Sequence, residues 1–359
     1  MTSEPTTKPL RLFYLGPYNS PHLEDLAVAM RERGHVVQAG GEVWGGLPPS
    51  SLPARGVPAS SITFPYVLSL RRVLRDFRPD VVHAHWMPFA TLAMAAGARP
   101  LVAQAWGSDV YLADRRHRFE MRVALRRTDL AMADSRNLLE RLQHFGPKSL
   151  RTTLLNWGVD LQALGIPTAA ERAALKVRLG LAPGPVILSP RGLKGIYNPQ
   201  VVVRAFARVR EAVPDAQLVL KHAGVEELLE PGWRDAPGIR VVGHVETGEM
   251  VDLFRAADVT VSIPKSDSSP RSVWEAMAAG SATVLSDLPW AHELIEDGRH
   301  AVLVPPTGDA VAAAIERLLG DANLRASIVA EARALVERRR DRNVELDRVE
   351  ACYRDLVRT

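Results

Sequence analysis

The chain contains a single cysteine, Cys352, in 359 residues. One thiol excludes a disulfide framework and a thiolate zinc ribbon, and nothing in the cysteine usage suggests secretion. No run of about 18 uncharged apolar residues occurs, so no transmembrane helix is expected. The opening stretch, MTSEPTTKPLRLFYLG, lacks the basic and apolar regions of a signal peptide. The expected location is cytoplasmic. No Asp-x-Asp pair suggests a metal site, and His83 and His85 lack a third ligand at sensible spacing, so no metal is expected. The G-x-G-x-x-G order that a dinucleotide site needs after its first strand is missing, which leaves a dehydrogenase the least favoured class.

Charge is also nearly absent as a net quantity, at +4. Its distribution is less even. Residues 1–160 carry 20 Lys and Arg against 14 Asp and Glu, and the excess is densest in DRRHRFEMRVALRR, Asp114 to Arg127. Such a run is usually a solvated helix face. The sharper reading is a patch for an anionic acceptor, or peripheral contact with the inner face of a membrane through the basic helix 115–127. No nucleic-acid motif or interleaved aromatics accompany it, so nucleic acid is set aside as a partner.

What is present is ordinary globular material, 47% hydrophobic and 24% charged, at a length that suggests two domains. Strand-like and helix-like segments alternate. LRLFYLG, VVQAG, DVVHAH, LAMAD and TTLLN read as strands, and LVAQAW as another, with amphipathic helices between them. After a segment bracketed by Pro167 and LAPGP, read as a linker over 166–182, the pattern restarts with PVILSP, QLVLKHA, IRVVGH, VTVSI and ATVLSD. The chain then ends in two helical segments, 309–338 and 341–357. This alternation implies right-handed βαβ units and parallel sheets, hence two doubly wound α/β domains. The expected boundaries are 1–165 and 183–338, with a final helix over 339–359.

In open parallel sheets, ligands bind outside the carboxyl ends of strands. A cleft between two such domains is therefore expected to be lined by residues 16–22, 83–86, 106–109, 191–198, 244–247 and 264–275. The last of these reads PKSDSSPRSVWE. Ser269-Pro270 fits an N-cap followed by proline at the first helical position, and Ser272-x-x-Glu275 fits a capping box. Either start leaves amides of Arg271, Ser272 and Val273 facing the cleft, where phosphate oxygens are attracted. Arg191 and Lys265 are placed to add full positive charge. Read locally, Glu275 is a capping acid and Asp267 an Asx-turn.

His83 and His85 are expected to point to opposite faces of their strand, with His85 at the strand end a candidate for substrate contact. Trp106 is either core or a wall of a sugar site, since aromatic faces pack on sugar C–H groups. Asn19 and His22 follow the first strand on the acceptor side, His22 being equally readable as an exposed helix residue. GGEVWGG, at 40–46, reads as a loop over the acceptor.

Several segments in order carry a resemblance. DVVHAH, AWGSDV, DLAMADS, NWGVD, SPRGLKGIYN, VVGHV, LFRAADV and the stretch from Asp267 to Glu275 trailing into EAMAAGSATVLSD are similar to the GT-B glycosyltransferases of family four, the group 1 glycosyltransferases. Coverage runs from about Leu10 to the C-terminus. The resemblance implies a GT-B fold, a retaining mechanism, a nucleotide-sugar co-substrate linked to UDP or GDP, no metal or other cofactor, and a hydroxylated acceptor. It also implies a last helix that crosses back onto the N-terminal domain.

Carried over by residue, Glu275 holds the nucleotide ribose, and Asp267 meets donor-sugar hydroxyls. The amides of Arg271 and Ser272 cradle the diphosphate, and Arg191 neutralises it. His244 and Val245 flank the base, and Gly16 with its loop lies on the N-terminal side of the diphosphate. The sequence departs from the family at four positions. Asp267 stands for a Glu, Pro270 for a Gly, Tyr197 for the Lys six residues after the Arg, and Trp106 for a His. Lys194 or Lys265 is expected to replace the missing lysine, and Asp109, His85 or a main-chain carbonyl the missing histidine. Two alternatives share the architecture: a nucleotide-sugar 2-epimerase, and a relative that binds the nucleotide sugar without transferring it.

Overall fold

The computed structural model describes residues 8–17, 20–39, 64–222 and 229–358. The chain divides into two compact units, one made of Met1–Trp157 with Glu345–Thr359 and the other of Gly158–Val344.

In the first unit, β1 (Arg11–Leu15), α1 (Pro21–Glu32), β2 (Val36–Ala39), α2 (Phe64–Phe77), β3 (Val81–His85) and α3 (Met87–Ala95) are followed by β4 (Leu101–Gln104), α4 (Ser108–Tyr111), α5 (Arg115–Leu125), β5 (Leu130–Ala133), α6 (Arg136–Phe145) and β6 (Thr152–Leu154). The strands form one parallel sheet in the order β2-β1-β3-β4-β5-β6. β3, β4 and β5 are buried along their whole length. Helices cover both faces of such a sheet, which is why these strands read as unbroken apolar runs rather than alternating ones.

The second unit holds α7 (Ala169–Arg178), β7 (Val186–Ser189), α8 (Pro199–Ala212), β8 (Gln217–Lys221), β9 (Ile239–Val242), α9 (Thr247–Ala256), β10 (Val259–Ser262), α10 (Arg271–Ala278), β11 (Ala282–Ser286), β12 (Val302–Val304), α11 (Gly308–Gly320) and α12 (Ala322–Arg339). Its parallel sheet runs β12-β11-β10-β7-β8-β9. From β7 the chain winds outward through β8 and β9, then returns to the other side of β7 with β10. The order therefore reverses between β7 and β10, and the crevice at their carboxyl ends is where a doubly wound sheet takes its ligand. In the first unit the reversal falls between β1 and β3.

The last helix, α13 (Arg342–Arg358), belongs to the first unit from Glu345 onward. Its Leu346, Val349, Tyr353 and Leu356 are buried with Leu12, Tyr14, Val81 and Val102. The Tyr353 hydroxyl shares a hydrogen bond with Nδ1 of buried His83 at 2.6 Å and donates to the Tyr14 hydroxyl at 3.3 Å.

The structure corrects four expectations. Residues 166–182 are not a linker: they carry α7, and Leu175, Leu179 and Leu181 sit in the second unit's core. The chain passes between units at Trp157–Gly158, ahead of the expected boundary at 165. The helical segment 309–338 is two helices, because Asp321 ends α11 and its carboxylate accepts the Leu324 amide at 2.9 Å to start α12. β12 was absent from the sequence reading, since its three residues give too short a run to stand out. GGEVWGG, 40–46, lies outside the described residues.

Candidate functional site

In the second unit, Arg191 leaves β7 two residues past its end, and Asp267 leaves β10 five residues past its end, on either side of the switch point. The Arg191 guanidinium donates to Asp267 Oδ2 at 2.7 Å and to the Ser272 hydroxyl at 3.2 Å. It also lies 4.5 Å from the centre of the Tyr197 ring. Their side chains are 17% and 10% exposed. Burial pushes the Asp267 carboxyl up, while Arg191 and the Ser268 amide pull it back.

Two further bonds tie the loops together. Asn198 Nδ2 donates to the Ile263 carbonyl at 2.9 Å, and the Lys265 amide donates to the Ile196 carbonyl at 2.8 Å. Among the described residues, the second unit's two non-glycine residues with positive φ are Asn198, at 51°, and Ser269, at 40°. Both lie in these loops. Such backbone costs about 1–3 kcal/mol per residue and persists where surrounding contacts over-determine it.

The start of α10 differs from both expected caps. Pro270, not Ser269, is the capping residue, and no side chain caps the helix. Ser269 is displaced because its hydroxyl accepts from Trp274 Nε1 at 3.0 Å. The capping box over Ser272 and Glu275 does not form, since Glu275 is held by Arg271 one turn earlier at 2.7 Å. Nor is the Val273 amide free, because it donates to the Pro270 carbonyl at 3.0 Å.

Lys221, the last residue of β8, escaped the sequence reading. Burial pushes its ammonium down, Glu275 raises it again and the Arg191 charge lowers it. The ammonium has no hydrogen bond or ion pair with any described residue. Both carboxylates already have arginine partners, so Lys221 leaves the site with uncompensated positive charge. Its signal was position alone: a lysine ending a strand next to β7. Lys194 and Lys265, the expected replacements for the missing lysine, are exposed. The Val245 side chain is buried in the core, so only its backbone is available to a ligand, and His244 is exposed beside Glu246.

In the first unit, Gly16, His22, His85 and Trp106 come together at the carboxyl ends of β1, β3 and β4. A Cβ on Gly16 would meet Leu23 Cδ1 at 3.0 Å and His85 Cβ at 3.2 Å, so glycine is what lets β1 end against β3. Trp157, the tryptophan of the NWGVD motif, covers the cluster and had no sequence signal beyond that motif. Its ring stacks on His22 at 4.9 Å and on His85 at 5.6 Å, and meets Trp106 edge-on at 5.9 Å.

His83 and His85 share one face, their rings stacked at 4.0 Å. The opposite-face expectation was wrong because strand side chains repeat every two residues. Burial pushes the His83 imidazole down to about 3 and His85 well below its ordinary value, so both are neutral. Neither ring nitrogen of His85 has a hydrogen-bond partner among the described residues. Asp109 accepts the amides of Met87 at 2.8 Å and Trp106 at 3.0 Å. Burial raises its carboxyl to about 6, against four backbone bonds that lower it. Its carboxylate holds the loops after β3 and β4 in place. Asn19 lies outside the described residues.

Among the described residues, no group of three or more His, Cys, Asp or Glu is placed to hold a metal ion. Among the same residues, no helix is long and apolar enough to cross a membrane. A groove of about 650 Å³ lies in the second unit, lined by Arg172, Lys176, Asp258 and Gly280. It sits at the amino ends of β10 and β11, and its cations are already bonded to Gly280, Gly184 and Asp258, so it is no ligand site of this kind.

A family model described as glycosyl transferases group 1 matches residues 185–321, and one described as glycosyltransferase family 4 matches residues 20–163. A phosphatidyl-myo-inositol mannosyltransferase of Mycolicibacterium smegmatis is 34% identical over 141 residues, covering 38% of this chain and 36% of that protein. A glycogen synthase of Mycobacterium tuberculosis is 27% identical over 267 residues, covering 69% and 62%. The matched stretches thus span less than two thirds of these relatives. Sucrose-phosphate synthase from Thermosynechococcus elongatus superposes with a TM-score of 0.79 at 16% identity, over 97% of this chain and 99% of that one. Anabaena HepE, solved with UDP and glucose, gives 0.75 at 18% identity, over 96% and 100%. At such identities the likeness concerns the fold.

Proposed function

From the premise that this chain belongs to the group 1 glycosyltransferases of family four, we propose that it moves a sugar from a nucleoside diphosphate to a hydroxyl acceptor with retention at the anomeric carbon. The observation that carries this reading is the pairing of Arg191 with Asp267 across the switch point, beside the unpaired Lys221. Two cations at the carboxyl ends of neighbouring strands, next to an uncapped helix start, suit a diphosphate. Glu275 is assigned to the ribose, Asp267 to sugar hydroxyls, and the backbone of α10's first residues to the phosphates. The nucleoside is uridine or guanosine. HepE's UDP and glucose favour uridine by likeness of fold alone.

In the step itself, the bond from the anomeric carbon to the diphosphate oxygen breaks, and a bond from the acceptor oxygen forms on the same face. The acceptor proton passes to a phosphate oxygen, and the nucleoside diphosphate leaves. No protein nucleophile is needed. Arg191 and Lys221 stabilise charge that grows on the leaving diphosphate, and the fixed loops hold donor and cations in register. The cluster of His22, His85, Trp106 and Trp157 is assigned to the acceptor. A metal ion is not required in this scheme, and a chelator should leave the rate unchanged.

The test is turnover of a nucleotide-sugar panel with mixed hydroxyl acceptors, followed by NMR of the product anomer. A product with the donor's anomeric configuration supports the reading. An inverted product, or release of a 2-epimer from donor alone, overturns it.

A further inference from the structure

A second concentration of positive charge lies in the first unit, on α5 and α6. A pocket of about 430 Å³ is lined by Arg115, Arg118 and Arg122 of α5, Arg141 of α6, and the rings of Tyr111 and Phe145. The spacing of the first three puts them on one helix face. None of the four guanidinium groups has a hydrogen bond or ion pair with another described residue. The carboxylates of α5 and its cap are engaged elsewhere. Glu120 pairs with Arg116 at 2.9 Å, and Asp114 accepts the His117 amide at 2.8 Å as the cap of α5. Arg122 stacks on the Phe145 ring at 5.3 Å, and the Tyr111 hydroxyl donates to Asn137 Oδ1 at 2.8 Å, which fixes the walls.

This arrangement costs the fold something. The first turn of α5 has no acidic residue and carries arginines, although the amino end of a helix already bears partial positive charge. Four like charges around one concavity repel one another as well. The four arginines are exposed, yet all of them line the same concavity. Guanidinium groups present paired donors that match phosphate oxygens, and convergence of several is how a multiply charged phosphate is held.

We propose that this pocket is a binding site for a phosphate-bearing group, a pyrophosphate or phosphate monoester, distinct from the site at Arg191. Leu112 and Phe119, 60% and 66% exposed, stand next to it in sequence. They offer apolar contact if the phosphate belongs to a lipid headgroup, and a soluble phosphorylated molecule would use the arginines alone.

The experiment is arginine modification of the full chain by phenylglyoxal, read peptide by peptide by mass spectrometry. The probes are inorganic pyrophosphate, phosphatidylcholine vesicles with phosphatidic acid, and vesicles of phosphatidylcholine alone, all at matched ionic strength. Binding at Arg191 falls on another peptide and does not enter the reading. At a probe concentration ten times its Kd, modification of Arg118, Arg122 and Arg141 slows about tenfold, while exposed Arg126 and Arg317 are unaffected. Protection by pyrophosphate supports the site with a soluble source, and protection only by phosphatidic acid vesicles supports it with a lipid source. In the Arg118→Ala, Arg122→Ala double variant, protection of Arg141 should vanish. No protection by any probe, equal protection of Arg317, or equal protection by phosphatidylcholine alone overturns the proposal.

Discussion

The guanidinium of Arg191 donates to Asp267 across 2.7 Å, joining the two loops that leave the central strands of the second unit. The pair is more than a clamp, because its members stand where a diphosphate and its sugar are proposed to sit. Removing one member leaves the other's charge buried.

Arg191→Ala should therefore lose roughly 3 kcal/mol of stability as Asp267 is left without its cation. Adding Asp267→Asn should recover stability without recovering transfer. Glu275→Ala should reduce turnover about 100- to 1000-fold while the fold persists. Denaturant midpoints and steady-state rates on the same preparations separate the two effects. Full turnover by both single variants would remove the assignment.

Lys221→Ala should weaken binding of a nucleoside diphosphate about 10- to 100-fold, the worth of a charge-assisted hydrogen bond. Burial lowers the pKa of this lysine, so its charge is lost at lower pH than that of an exposed lysine. Affinity should fall correspondingly early as pH rises, and Lys221→Arg should move the fall to higher pH. Without ligand the sign reverses. The unfolded chain holds that proton more tightly, so stability rises as pH climbs through the lowered value. Calorimetry across pH reads the first effect and denaturation the second. An affinity unchanged in Lys221→Ala would exclude the lysine from the site.

Trp157→Ala should uncover His85. The neutral imidazole is the reactive form toward diethyl pyrocarbonate, and His85 is neutral but fully buried. Its modification should rise severalfold in the variant and stay at the wild-type rate in Trp157→Phe. An unreactive His85 in both variants would mean that Trp157 is not its cover.

Acid should destabilise the first unit. His83 is held at about 3 against an ordinary value of 6.5, and His85 shifts the same way. The unfolded chain takes up those protons first, so stability present at neutral pH is lost as pH falls below about 6.5. Asp109, raised to about 6, works in the opposite sense, adding stability as pH falls toward 3.8. Two depressed imidazoles outweigh one raised carboxyl. Urea midpoints should drop between pH 7 and pH 5, and less steeply in His83→Gln.

The doubly wound pattern was legible because buried parallel strands announce themselves as apolar runs, as DVVHAH and LAMAD do. β12 was missed because three residues make no run. The split of the 309–338 segment hung on Asp321, which looks like any surface acid until its carboxylate is seen to cap a helix. At the candidate site, strand-end position and motif order singled out Arg191, Asp267 and Glu275, and the structure sets Arg191 against Asp267. Lys221 was not among them, since nothing local marks a strand-terminal lysine as unpaired. The cap of α10 was misread because Ser269 had a competing partner, Trp274, whose ring is placed only by tertiary packing.

The bond between Tyr353 and His83 makes the first unit discontinuous along the chain: its last core helix is encoded after the whole of the second unit. A fragment ending at Trp157 would expose the apolar surface around Tyr14 that α13 covers. Chimeras that exchange whole N-terminal halves between related enzymes would pair the new sheet with the old helix. Exchange should succeed when residues from Glu345 onward travel with the front half, which makes the segment after Val344 a better crossover point than the chain's end.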